Sequence, residues 1–172
     1  MAAGSTYTPI ASTTLGSNTT VVTLSSIPST YTDFRVVIVP ASSSGTNGIR
    51  MRINGDTGTN YSITFLTGTG SAANSGRESN SANMSLGNYT GITTTLGQVL
   101  VTLDFLSYAN TSTYKTVLIR NNESSNAVEG NVGLWRSTSA INSLSFNINT
   151  FGSSTGDFIA GSIFTLYGIS AA

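Results

Sequence analysis

Apolar and polar residues alternate along this chain in short runs, and clusters of Ser, Thr, Asn and Gly separate the runs, the pattern of strands joined by turns. Tyr7 to Leu15 reads as a first, edge-like strand, because Pro9 has no backbone N–H to donate to a neighbouring strand. Thr19 to Leu24 follows, and Pro28 marks a bend. Phe34 to Val39 is the most β-committed run, rich in β-branched residues and halted by Pro40. Ile49 to Ile53 and Tyr61 to Leu66 flank Asn54-Gly55, which readily supplies positive φ, so the two runs read as a hairpin. Met84 to Tyr89, Gln98 to Tyr108, Tyr114 to Arg120, the run from Gly130 through Trp135, Ala140 to Ile148 and Gly161 to Ile169 complete about ten or eleven strands. Thr67 to Asn83 lacks large apolar residues and reads as a long surface loop or as a contact loop that orders against a partner.

The last run is apolar on both sides of a strand, with Ile163, Tyr167 and Ile169 on one face and Phe164 and Leu166 on the other. Such a strand needs cover on both faces, from a central place in a sheet or from another subunit. No helix, sustained heptad or fixed repeat interrupts the β pattern. The expected architecture is all-β: a single antiparallel β-sandwich, jelly-roll-like, of about ten strands. Residues 1–5 are expected as a flexible arm and residues 6–172 as one domain, large enough to bury about two-thirds of its unfolded surface without a staple.

Charged residues are 8% of the chain, and seven Lys and Arg balance seven Asp and Glu, so small polar residues must cover the surface. That balance supplies no basic field for nucleic acid and little self-repulsion to oppose association. No stretch reaches the roughly 18 apolar residues of a membrane-spanning helix, and a secretory leader pattern is not visible at the start. The Asn-x-Ser/Thr triplets are those that so Asn-, Ser- and Thr-rich a composition produces.

There is no Cys and no His, so thiol chemistry and imidazole acid-base catalysis are excluded. No cofactor, metal site or catalytic residue is assigned. Asp56-Thr57-Gly58 matches the aspartic-protease tripeptide, and the same loop faintly resembles a calcium loop. Its flanks fit neither, and a turn is the simpler reading. Asp33, Asp56, Glu78, Asp104, Glu123, Glu129 and Asp157 could meet in pairs suited to glycoside hydrolysis, yet nearly all lie beside predicted turns, so the protein reads as a non-enzyme. Arg50 and Arg52 share one face of their strand and read as a solvated face that blunts edge pairing.

The elements Tyr61-Ser62 after Asn54-Gly55-Asp56-Thr57-Gly58, Tyr114-Lys115-Thr116-Val117-Leu118, Gly133-Leu134-Trp135-Arg136-Ser137-Thr138 with Ala140-Ile141-Asn142-Ser143, and Gly161 to Ile169 resemble, in that order, a group of tailed-bacteriophage virion proteins. These are small β-sandwich capsid decoration (cement) proteins or tail-fibre-tip modules. The resemblance implies a homotrimer on the virion that binds the major capsid protein across neighbouring shell subunits and stabilises the head. The alternative it leaves open is a tail fibre or spike tip that recognises host surface glycan through exposed aromatics, Tyr89 or Tyr108. Neither role calls for nucleic acid or membrane. The oligomer or capsid interface is expected at Val37, Val39, Trp135, Phe164, Leu166 and Tyr167.

Overall fold

The computed structural model describes residues 6–45, 47–88, 90–150 and 156–170; the expected arm and Tyr89 lie outside them. Twelve strands are present among the described residues, with no helix: β1 (Tyr7–Thr14), β2 (Val21–Leu24), β3 (Asp33–Val39), β4 (Asn47–Ile53), β5 (Tyr61–Gly68), β6 (Ala73–Ser81), β7 (Met84–Ser85), β8 (Val99–Phe105), β9 (Lys115–Glu123), β10 (Ala127–Trp135), β11 (Leu144–Thr150) and β12 (Ile163–Ile169). They form two antiparallel sheets, one of eight strands in the order β1-β12-β3-β8-β9-β10-β5-β6 and one of four, β2-β11-β4-β7. The all-β sandwich is therefore as expected.

Eight of the strands pair in a nested way: β1 with β12, β2 with β11, β3 with β8 and β4 with β7. The two remaining hairpins, β5-β6 and β9-β10, join edge to edge and lengthen the large sheet. The core lies between the sheets and is built from alternate residues of each strand. Phe34, Val36 and Ile38 of β3 and Phe164 and Leu166 of β12 are at most 1% exposed, with Leu144, Phe146 and Ile148 of β11 facing them from the small sheet. Aromatic rings lock the contact: Phe34 stacks on Phe105 at 4.4 Å and meets Tyr108 edge-on at 4.6 Å, while Phe158 meets Phe164 edge-on at 5.1 Å.

Four strands cannot cover eight. Over β9, β10 and β5 the cover is instead the segment beginning at β7, whose Met84, Leu86 and Ile92 are buried. Gly133 makes room for it: a Cβ there would stand 2.3 Å from the Met84 sulfur and 2.7 Å from a methyl of Val117. Polar side chains fasten the segment from beneath. The buried Glu129 carboxylate accepts the backbone N–H of Asn88 at 3.0 and 3.1 Å and that of Thr90 at 3.3 Å, and the buried Asn121 and Asn131 amides donate to the Leu86 carbonyl. An ionised acceptor shared by backbone donors is the strong form of such a bond, and removing it strands those donors.

Two sequence expectations are corrected here. Asn54-Gly55 does adopt positive φ, at 52° and 69°, but it does not close a hairpin: β4 belongs to the small sheet and β5 to the large one. The Asn54 side chain is held instead by residues 140–143, donating to the Ala140 carbonyl and accepting the N–H groups of Asn142 and Ser143. The turn is local, but the partner of its side chain is remote. Thr67 to Asn83, expected as a loop, contains β6, a strand that pairs with β5 along most of its length. At a sheet edge the backbone ladder suffices, so the strand needs no apolar face.

Replacing Glu129 by Ala should cost about 2–4 kcal/mol in denaturant unfolding, and by Gln less, because the amide keeps one acceptor. Unchanged midpoints for both variants would show that the segment from Met84 to Thr90 is held by its apolar contacts alone.

Candidate functional site

Three of the six residues expected at an interface lie inside the core. Trp135, Phe164 and Leu166 are at most 2% exposed and lie in the chain's own core, so they are withdrawn from the expected interface. Tyr108 is withdrawn as a ligand-facing aromatic for the same reason; its ring packs on Phe34 and its hydroxyl donates to the Pro28 carbonyl. Val37, Val39 and Tyr167 do point outward, half-buried on the outer face of the large sheet. Beside them Arg35 forms a two-pronged pair with Asp104, at 2.5 and 3.0 Å, and lies 5.6 Å from the Tyr7 ring centroid, which itself meets Tyr167 edge-on.

The arginine pair Arg50 and Arg52 is also corrected. Rather than facing solvent, Arg50 bonds Glu78 at 3.1 Å and Arg52 donates to the Ala82 carbonyl at 3.2 Å, joining β4 of the small sheet to β6 and the chain just after it. The Asp56 loop is a structural turn. Its carboxylate accepts Trp135 Nε1 at 2.7 Å, Asn60 Nδ2 at 2.9 Å and the Gly58 N–H at 2.8 Å. Burial works to raise its pKa, but these three donors outweigh burial and hold it below the usual value. Next to it Tyr61 is fully buried, accepting the Ile53 N–H at 3.0 Å and donating to the Asp56 carbonyl at 3.1 Å; burial pushes its pKa up to about 12.

On the far half of the outer face the large sheet presents an apolar surface. Leu66, Leu100, Leu118, Val128 and Val132 are between 39% and 62% exposed. Strand register explains their neighbours. One row across the sheet runs Asp104, Leu118, Val132, Thr64, Arg77, and the next runs Thr102, Arg120, Gly130, Leu66, Ser75. Gly130 has no side chain between Arg120 and Leu66, and the dent it leaves lies in a groove of about 630 Å³ walled by Leu118, Val132 and Thr64. A second groove of about 450 Å³ adjoins it, shares Thr64 and Val132, and holds Arg77 and Arg136. Both volumes fall in the range of small-molecule sites.

The electrostatics of this face follow from where the carboxylates are. All seven have partners of their own: Asp104 and Glu78 are in ion pairs, and Asp33, Asp56, Glu123, Glu129 and Asp157 accept hydrogen bonds. The only Lys, Lys115, is buried and donates to the Thr113 and Thr138 carbonyls, its pKa lowered by burial. Arg77, Arg120 and Arg136 make no ion pair among the described residues, and all three line the grooves. The six arginines are scattered along the chain, and strand register brings three of them to one face. The chain matches no known protein-family model and no curated protein sequence.

Two pH dependences follow, of opposite sign. The lowered Asp56 value contributes stability that is present above the ordinary carboxylate pKa of about 3.9 and lost as pH falls through the folded value. Fluorescence of Trp135, the sole tryptophan, should show acid unfolding that is less steep in Asp56→Asn; an identical profile would remove Asp56 from that role. The raised Tyr61 value contributes stability present below about 10 and lost as pH rises toward about 12. Tyr61→Phe should flatten that alkaline loss in denaturant titrations, and a loss of equal slope in the variant would contradict it.

Proposed function

We propose that the protein is a bacteriophage virion structural protein that acts by non-covalent binding, most directly as a capsid decoration protein. The observation that carries the reading is the exposed apolar outer face of the large sheet. Apolar side chains half or more exposed and grouped on one sheet face mark a surface that meets another macromolecule. Such a face laid across neighbouring shell subunits favours the assembled particle by mass action. A homotrimer remains part of this proposal, with its contact at Val37, Val39 and Tyr167, which occupy the other half of the same face. The jelly-roll reading is supported by the nested pairing of eight strands, first with last and inward, with β5-β6 and β9-β10 as insertions.

A second reading, recognition of host surface glycan by a tail tip, is favoured by the two adjoining grooves with their hydroxyl and guanidinium groups. Electron microscopy of intact particles separates the two: density on the head lattice supports decoration, and density confined to the tail rejects it. In a binding assay with purified particles, Leu66→Asp and Val128→Asp should each abolish head attachment while leaving the fold intact, since both side chains are more than 60% exposed. Full attachment by both variants would remove this face from the role. Light scattering should give three chains per particle in solution, falling to one in Val37→Asp.

A further inference from the structure

The geometry points to the Arg77–Arg136 groove as a binding site for a carboxylate-bearing sugar, a uronic-acid residue of an acidic polysaccharide. This rests on the second reading above and names its ligand chemistry. The groove lies where β5 and β6 fall out of register: Tyr61 faces Ser81 and Ile63 faces Glu78, so Ser79 and Asn80 together oppose Ser62. That is a bulge, with Asn80 in the left-handed region at φ 56°. A bulge re-aims side chains, and here it puts a hydroxyl and an amide along the groove beside two guanidinium groups.

Those guanidinium groups lack the partner that such groups ordinarily find. Arg136 donates through Nη2 to Ser62 Oγ, while its Nη1 is buried with no hydrogen-bond partner among the described residues. Arg77, on the exposed edge strand, makes no ion pair among the described residues. Guanidinium forks match planar oxyanions, and a carboxylate seated here would give Arg77 and Arg136 the charged partner that neither has among the described residues. The rest of the lining selects the carrier of that carboxylate. Ser62, Thr64, Ser79 and Asn80 both donate and accept, as sugar hydroxyls require, while Val132 and Leu134 form an apolar wall for a ring face. The backbone groups of β5 and β10 are already committed to the sheet, so a peptide could add only along the free edge of β6 and not within the groove. The adjoining groove, with Arg120 beside Gly130, extends the site toward a second sugar residue.

Calorimetric titration of the full chain with tetragalacturonate, its methyl ester and tetraglutamate tests the proposal. The acid tetramer should bind, the uncharged ester at least about tenfold more weakly, and added salt should weaken the acid form alone. Arg77→Gln, at an exposed position, should lose a similar factor with its circular dichroism unchanged, and Arg77→Lys should recover part of it. Equal binding of acid and ester, indifferent to Arg77→Gln, would overturn the carboxylate assignment and leave the glycan reading standing. Tetraglutamate binding as tightly as the uronate would overturn the sugar assignment in favour of an acidic peptide partner. No binding by any of the three would overturn this inference, and the glycan reading would then stand or fall on particle location and on sugars of other chemistry.

Discussion

The molecule is organised by a mismatch of cover: an eight-stranded sheet whose inner face must be shielded by a four-stranded one. Over β1, β12, β3 and β8 the small sheet does this with large apolar side chains. Over β9, β10 and β5 the shield is a short strand and the irregular chain after it, which carry backbone groups that no ladder satisfies. Glu129, Asn121 and Asn131 are the answer. They occupy inward positions of β9 and β10 where an apolar residue would be usual, and they satisfy the donors and acceptors of the covering segment.

That solution has a consequence on the opposite side of the sheet. In β10 the inward positions are Ala127, Glu129, Asn131, Gly133 and Trp135, and the outward ones are Val128, Gly130, Val132 and Leu134. The usual polarity is reversed over much of the strand, since apolar residues face out and a carboxylate and an amide face in. The same strand thus anchors the cover and builds the exposed apolar face. A sheet whose only task was to enclose a core would have no reason to expose Val128 and Val132.

Charge is distributed with similar economy. The chain is neutral, but its carboxylates are placed at junctions: Asp56 at the Trp135 corner, Glu78 between sheets, Glu129 under the cover, Asp104 against Arg35. The arginines left over gather on the outer face, so a protein without net charge presents a locally cationic groove. The sheet's two edges differ as well. β1 carries Pro9 beside a register shift, whereas β6 is a polar strand that bears Arg77 and the bulge next to the groove.

Alternation, turn residues and the positions of proline were enough to locate every strand but β6 and to assign an all-β sandwich, because those signals act over a few residues of local backbone. Composition alone excludes imidazole and thiol chemistry, since the chain has neither His nor Cys. What escaped local reading depended on partners far away in the chain. A polar edge strand such as β6 carries no hydrophobic period, since its hydrogen bonds come from β5. Asn54-Gly55 specifies a turn but not which sheet receives the next strand, and that choice is made by the bonds of Asn54 to residues 140–143. Phe164 and Val37 are both apolar residues of committed strands, yet only packing decides that one is sealed in the core and the other faces outward. The groove is the clearest case: Arg77 and Arg136 are 59 positions apart in the numbering, and only the side-by-side register of β10, β5 and β6 makes them neighbours of one cavity.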